Sequence, residues 1–132
     1  ALANQFLQLH PIEEPDLIIP VPLHPKRLRQ RGFNQALMMA KKIFPEYWDR
    51  INPHVLERHL WTRPQTGLKG AERLRNVKNV FSVSRPEKIY NQKILLVDDV
   101  FTTGATVNEC ARVLVKNMAA EVDVFTFARV ID

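Results

Sequence analysis

The segment Asp98-Asp99-Val100-Phe101-Thr102-Thr103-Gly104-Ala105-Thr106 gathers two carboxylates, three hydroxyls and a glycine into one short stretch. Threonine hydroxyls donate to phosphate oxygens, and a glycine lets the backbone come close to an anion while the amides of a helix start point at it. The helix dipole adds about 0.3–1 kcal/mol for a negative charge at that position. Two carboxylates beside such a nest repel phosphate unless they accept hydrogen bonds from sugar hydroxyls or hold a hydrated Mg2+, which takes one or two carboxylates together with substrate phosphates. The combination fits a ribose 5-phosphate, with Thr102, Thr103, Gly104, Ala105 and Thr106 on the phosphate and with Asp98 and Asp99 on the ribose or on Mg2+.

Such a site needs a strand before it and a helix after it. Lys93-Ile94-Leu95-Leu96-Val97 is a continuous apolar run that ends in the aspartates, as expected of a strand buried on both faces. After it, Val107, Cys110, Ala111, Leu114, Val115 and Met118 follow helical spacing and predict one apolar face of a helix over 107–118. Further strands are predicted at Leu17–Val21, within Val55–Trp61, at Val80–Val83 and over Val122–Val130, with a helix from Phe33 to its stop at Pro45 and a partial helix through Phe6, Leu7 and Leu9. Strands alternating with helices imply an α/β domain, a mostly parallel central sheet flanked by helices on both faces, whose ligands gather at the carboxyl ends of the strands. The chain of 132 residues, 45% hydrophobic, has room for one such domain, spanning 1–132.

Three other readings of 94–106 fall away. A plain helix N-cap accounts for the threonines but leaves two adjacent acids at a strand end without a role. Ile94 to Asp99 also resembles the opening of phosphoacceptor receiver domains, but that architecture needs several more strand–helix units than the 33 residues after Asp99 supply. A haloacid-dehalogenase-like phosphatase wants a second aspartate where Val100 stands.

Positive charge is concentrated in two places. Lys26, Arg27, Arg29 and Arg31 lie together with no acid among them, and Arg63, Lys69, Arg73, Arg75 and Lys78 face Glu72 alone. Each stretch carries a net +4, so with a total of +5 the rest of the chain is about −3. Such clustering points to an anionic partner, a phosphorylated small molecule or a nucleic acid. Strong single-strand binding is disfavoured because aromatics make up only 8% of the chain and none stripes the basic stretches, leaving few platforms for base stacking.

A single cysteine, Cys110, excludes an internal disulfide, and its place on the apolar helical stripe makes it a core residue. His10, His24, His54 and His59 show no metal-ligand spacing. No signal peptide or long apolar run is present, so membrane insertion is not expected and the cytoplasm is. The start at Ala1-Leu2-Ala3 without methionine reads as a fragment.

Four apolar residues, two acids, an apolar residue, any residue and Thr-Thr-Gly-x-Thr make up the signature of type I phosphoribosyltransferases, and residues 94–106 resemble it throughout. The stretch Val21-Pro22-Leu23-His24-Pro25-Lys26-Arg27-Leu28-Arg29-Gln30-Arg31-Gly32-Phe33-Asn34-Gln35-Ala36 resembles the ComF/GntX-like branch of that superfamily, bacterial proteins associated with competence and DNA uptake. The resemblance implies that Lys26, Arg27, Arg29 and Arg31 lie on the loop that receives the diphosphate. It also makes 63–81 the flexible lid over the site, with Arg63, Gln65, Lys69, Arg75 and Asn76 in the lid and Arg73 acting on the departing diphosphate. The implied ligand is 5-phosphoribosyl 1-diphosphate with Mg2+, and the implied reaction is transfer of the ribosyl group to an acceptor with release of diphosphate. Relatives in this branch carry an N-terminal cysteine-rich zinc-binding module that this sequence lacks, and little sequence lies outside the core to build the hood that recognises an acceptor in the enzymes. The alternative reading is a non-catalytic module that binds single-stranded DNA or a competence-machinery protein through the basic stretches.

Overall fold

The computed structural model of the chain describes residues 14–59, 80–101 and 104–129. Strands β1 (Leu17–Pro20), β4 (Lys93–Phe101) and β5 (Glu121–Arg129) form a parallel sheet in the order β1-β4-β5. Pro20 pairs with Val97, Asp98 with Thr126 and Phe101 with Arg129. β2 (Leu56–Arg58) and β3 (Phe81–Val83) form a separate antiparallel pair. The helices are α1 (Pro25–Arg31), α2 (Gln35–Ile43), a short α3 (Pro86–Ile89) and α4 (Ala105–Lys116), with a 3-10 turn at Pro45–Arg50. The expected α/β fold with a parallel sheet is present, and β4 is its middle strand.

Side chains alternate along a strand, so a middle strand covered on both faces feeds two cores. Ile18, Leu95 and Val97 pack with Ala40, Ile43 and Phe44 of α2 and its end. Ile19, Ile94 and Leu96 pack with Val107, Cys110, Val113 and Leu114 of α4, and with Leu56 and Phe81 of the β2–β3 pair. Phe44 meets Phe125 edge to face, ring centres 5.4 Å apart, which ties α2 to β5 across the first of these cores. Cys110 is fully buried, as its helical position predicts.

Three local expectations are corrected. The connection predicted as a loop after β1 is the helix α1: Pro25 opens it, the His24 ring accepts from the Lys26 amide at 3.0 Å, and Gly32, at φ 83°, ends it by donating to the Leu28 carbonyl at 2.7 Å. A left-handed closing residue is where glycine belongs, so both ends of α1 carried a signal. β4 does not stop at Val97 but runs through both aspartates to Phe101, because β5 pairs with it that far. The apolar face of α4 is rotated from the predicted one. Val113 is buried in place of Val115, which is 57% exposed within the helix, and Met118 is 62% exposed past the helix end at Lys116, where it turns off with φ 71°. The predicted helix near Phe6 lies outside the described residues.

Leu96 is fully buried between α4 and the β2–β3 pair. Leu96→Ala is expected to cost about 3 kcal/mol by urea denaturation, and Val115→Ala less than about 1 kcal/mol; equal losses would contradict the layer assignment.

Candidate functional site

Strand alternation starts the two acids on opposite sides of β4, yet their carboxyls still meet through a side-chain hydrogen bond. Asp98 follows Leu96 in the alternation and shares its side of the sheet with Cys110 of α4, whose thiol feels its charge. Asp99 follows Val97 onto the other side and lines a cavity with Met38 and Met39 of α2. The Asp99 amide donates to Asp98 Oδ1 at 2.9 Å. Burial pushes the Asp98 carboxyl up from its ordinary 3.8 to about 7; a side-chain hydrogen bond with Asp99 and that neighbour's charge act in the same direction, against the pull of the Asp99 amide. A bound cation or a donating hydroxyl would relieve this cost. Among the described residues no cluster of three or more His, Cys, Asp or Glu is spaced for a metal. Two adjacent carboxylates suit a hydrated Mg2+ that takes its remaining ligands from water and phosphate, so the donor set fits that ion and does not form an all-protein cage.

Beyond β4, α4 begins at Ala105 with Gly104 as its N-cap, held at φ 80° and ψ −4°. A side chain at Gly104 would be strained in that conformation, and Gly104 offers no side chain to the helix amides. Ala105 and Thr106 occupy the first turn, both half-buried. Thr102 and Thr103 lie outside the described residues. So do Arg63, Gln65, Lys69, Arg73, Arg75 and Asn76 of the predicted lid.

The third component enters from β1. The Val21 amide donates to the Val97 carbonyl at 2.8 Å, so the chain leaves β1 beside Asp98 and goes directly into α1. Lys26, Arg27, Arg29 and Arg31 are all exposed, and no residue of α1 is buried. A helix does not point four such side chains at one spot: Arg27 and Arg31 share one side, Lys26 and Arg29 another. Arg31 Nη1 donates to Gln35 Oε1 at 3.2 Å, and Asn34 Nδ2 donates to the Val21 carbonyl at 3.2 Å, which fixes the start of α2 against the strand exit.

Arg58, His24 and His59 were not singled out by the sequence. With Pro22, His54 and Glu57 they line a cavity of about 330 Å3 between the β1–α1 connection and the β2–β3 pair. His24 Nε2 lies 3.1 Å from the His59 carbonyl, and its Nδ1 accepts from Lys26, an arrangement that requires the Nε2–H tautomer. The His59 ring is hydrogen-bonded to the Ser82 hydroxyl. Arg58 lies over the Phe81 ring at 5.7 Å, and burial lowers its pKa, with Arg27 acting in the same direction and Cys110 opposing. The pairing of Arg58 with Phe81 across β2 and β3 brings this cation toward Cys110, and no local sequence signal marks it.

Between pH 4 and 7 the folded chain holds the Asp98 proton that the unfolded chain has released, so Asp98 lowers stability progressively as pH rises through that window, with the full penalty above about pH 7. Asp98→Asn is therefore expected to be about 1–2 kcal/mol more stable than wild type at pH 8, discounted for the carboxyl's partial exposure, and nearly equal to it at pH 3.5. Urea midpoints at the two pH values measure this; a constant difference would refute it.

No protein-family model matches the chain. It is 39% identical over 123 residues to competence protein F of Haemophilus influenzae, covering 91% of this chain and 53% of that protein. It is 35% identical over 118 residues to the DNA utilization protein YhgH of Escherichia coli K12, covering 89% and 51%. It is 35% identical over 128 residues to competence protein ComFC of Bacillus subtilis, covering 96% and 50%. The chain thus spans about half the length of these curated relatives. Among solved structures it is similar to the allosteric regulatory enzyme of purine biosynthesis, with TM-score 0.57 and 19% identity over 96% of this chain and 24% of that one, a likeness of fold alone. Among the described residues no helix is long and apolar enough to cross a membrane. Over the part of their length that it spans, the chain is similar in sequence to these competence and DNA-utilization proteins, and its fold is phosphoribosyltransferase-like.

Proposed function

We propose that this chain binds 5-phosphoribosyl 1-diphosphate together with Mg2+, in the setting of competence and DNA utilization named for its relatives. The observation that carries the proposal is β4 running out through Asp98 and Asp99 into a Gly104-capped helix. In this reading Thr102 to Thr106 take the 5-phosphate, with backbone amides and hydroxyls as donors. Asp98 and Asp99, whose carboxyls lie within hydrogen-bonding reach of each other, reach the ribose hydroxyls or would hold the hydrated Mg2+, which would neutralise charge on the diphosphate. Arg27 and Arg31, sharing one side of α1, receive the diphosphate, with Lys26 and Arg29 adding to the local potential. Arg58 and His24, near the same strand exit, join them as further donors. Arg63, Gln65, Lys69, Arg75 and Asn76 form the lid in this reading, and Arg73 stabilises the leaving diphosphate.

If transfer occurs, a nucleophile of the acceptor forms a bond to the anomeric carbon as the carbon–oxygen bond to diphosphate breaks, and the electron pair leaves with the diphosphate oxygen. Titration calorimetry with 5-phosphoribosyl 1-diphosphate and Mg2+ tests binding. Saturable heat is expected, weakened at least tenfold in the Asp98→Asn, Asp99→Asn double variant; no heat at millimolar ligand, or unchanged affinity in the variant, overturns the proposal.

A second reading is favoured by the full exposure of α1 and by the DNA-utilization names of the relatives: the cations of α1 contact the phosphates of single-stranded DNA. Affinity for an oligonucleotide then falls steeply with salt. A gel shift is expected to survive loss of Asp98 and Asp99 and to fail in the Lys26→Gln, Arg29→Gln double variant. Retention after that neutralisation excludes this reading.

A further inference from the structure

Among the described residues the parallel sheet ends at β5, which pairs with β4 on one side and with no strand on the other. Its nine residues keep one offset against β4, from Lys93 with Glu121 to Phe101 with Arg129, so the edge is long and carries no bulge. Folded proteins blunt such an edge with proline, lysine or a short strand, because its peptide groups otherwise template another chain. Glu121–Arg129 contains neither proline nor lysine. Apolar side chains also meet water on both of its faces. Phe127, on the α2 side with Phe125, is 61% exposed, and Val124, on the α4 side with Val122, is 39% exposed.

We propose that this edge joins a second copy of the chain, β5 pairing antiparallel with β5 about a two-fold axis at Thr126, so that two three-stranded sheets become one of six strands. The order of residues along β5 selects both the direction and the register. Glu121 and Asp123 stand at its amino end and Arg129 at its carboxyl end, so parallel pairing in register sets like charges together and antiparallel pairing sets opposite charges together. Centred on Thr126, antiparallel pairing places Asp123 opposite Arg129, Val124 opposite Ala128, Phe125 opposite Phe127 and Thr126 opposite itself. Opposite charges, aromatic rings and threonines directly opposed are the combinations that stabilise antiparallel strands. Centring on Phe125 sets Asp123 opposite Phe127 and gives the exposed ring no apolar partner. The pairing is isologous, so each contact forms twice. Thr126 is also the partner of Asp98 within the sheet. The Asp98 positions of the two copies therefore fall on one line through the axis, on the same face, about 14 Å apart or three strand spacings. This inference rests on the edge of β5 and not on the ribosyl-diphosphate reading.

Sedimentation equilibrium tests it. A dimer is expected at micromolar concentration, weakened at least tenfold in Asp123→Arg and in Arg129→Asp, with each variant folded by circular dichroism. The double variant, which reverses the charge pair and keeps it, is expected to recover wild-type affinity. Directly opposed residues of antiparallel strands lie about 5 Å apart, within reach of a disulfide. Thr126→Cys is therefore expected to cross-link two copies under mild oxidation, and Glu121→Cys is not. A chain that stays monomeric at millimolar concentration overturns the proposal. So does a dimer indifferent to both single reversals, a folded double variant that does not recover, or cross-linking through Glu121→Cys and not through Thr126→Cys.

Discussion

A strand covered on both faces must give successive side chains to opposite layers, and β4 obeys this beyond the end of its apolar run. Ile94 and Leu96 belong to the layer of α4, Leu95 and Val97 to the layer of α2. Because β5 continues to pair with β4 as far as Phe101, the same alternation governs Asp98 and Asp99. One acid is drawn into half-buried surroundings near Cys110, and the other opens on a cleft beside α2. The two carboxyls still meet through a side-chain hydrogen bond, so they remain a pair whose other neighbours differ.

The energetic consequences follow from burial and from that pairing. Asp98 is held above the ordinary carboxylate range chiefly by burial, so the ligand-free fold bears a cost that a cation or hydroxyl donor at the site relieves. The same burial pushes the Cys110 thiol up and makes it a packing residue with no reactive thiolate. Arg58 is also lowered by burial, and it lies over Phe81 where a smaller or more strongly hydrated cation would gain less. Desolvated charge of both signs thus gathers on the α4 side of the sheet, while the cations of α1 remain in water.

The sheet exit organises the rest. Val21 bonds to Val97 just before the aspartates, and Asn34 reaches back to Val21, so the start of α2 is set against the end of β1. His24 closes α1 at one end and reaches His59 of the β2–β3 pair through its other ring nitrogen, so a single imidazole links the cationic helix to the element from which the 60–79 segment departs. Hydrogen bonds thus tie α1 to the β2–β3 pair and the start of α2 to the exit of β1.

Local pattern was enough for the elements nearest the chemistry. The doubly apolar run before Asp98, the helix after Gly104 and the burial of Cys110 all depend on residues within a few turns of one another, where periodicity and glycine conformation act directly. The apolar face of α4 was legible only in part, because Val115 matches the helical period but lies outside the buried face of Val107, Cys110, Val113 and Leu114, and Met118 lies past the helix end. Reading α1 as a loop gave weight to its charge and overlooked Pro25 and Gly32 at its boundaries. The sequence by itself determined the order of elements and the presence of acids, glycine and cations near one strand end. Only the tertiary structure decided that Asp98 lies near Cys110 while Asp99 lines a cleft beside α2, that Arg58 and His59 join His24 across 35 residues, and that Phe127 meets α2 over that cleft. The physical reason is that alternation and capping act between neighbours in the chain, whereas a cleft is made by side chains that meet only after strands have paired.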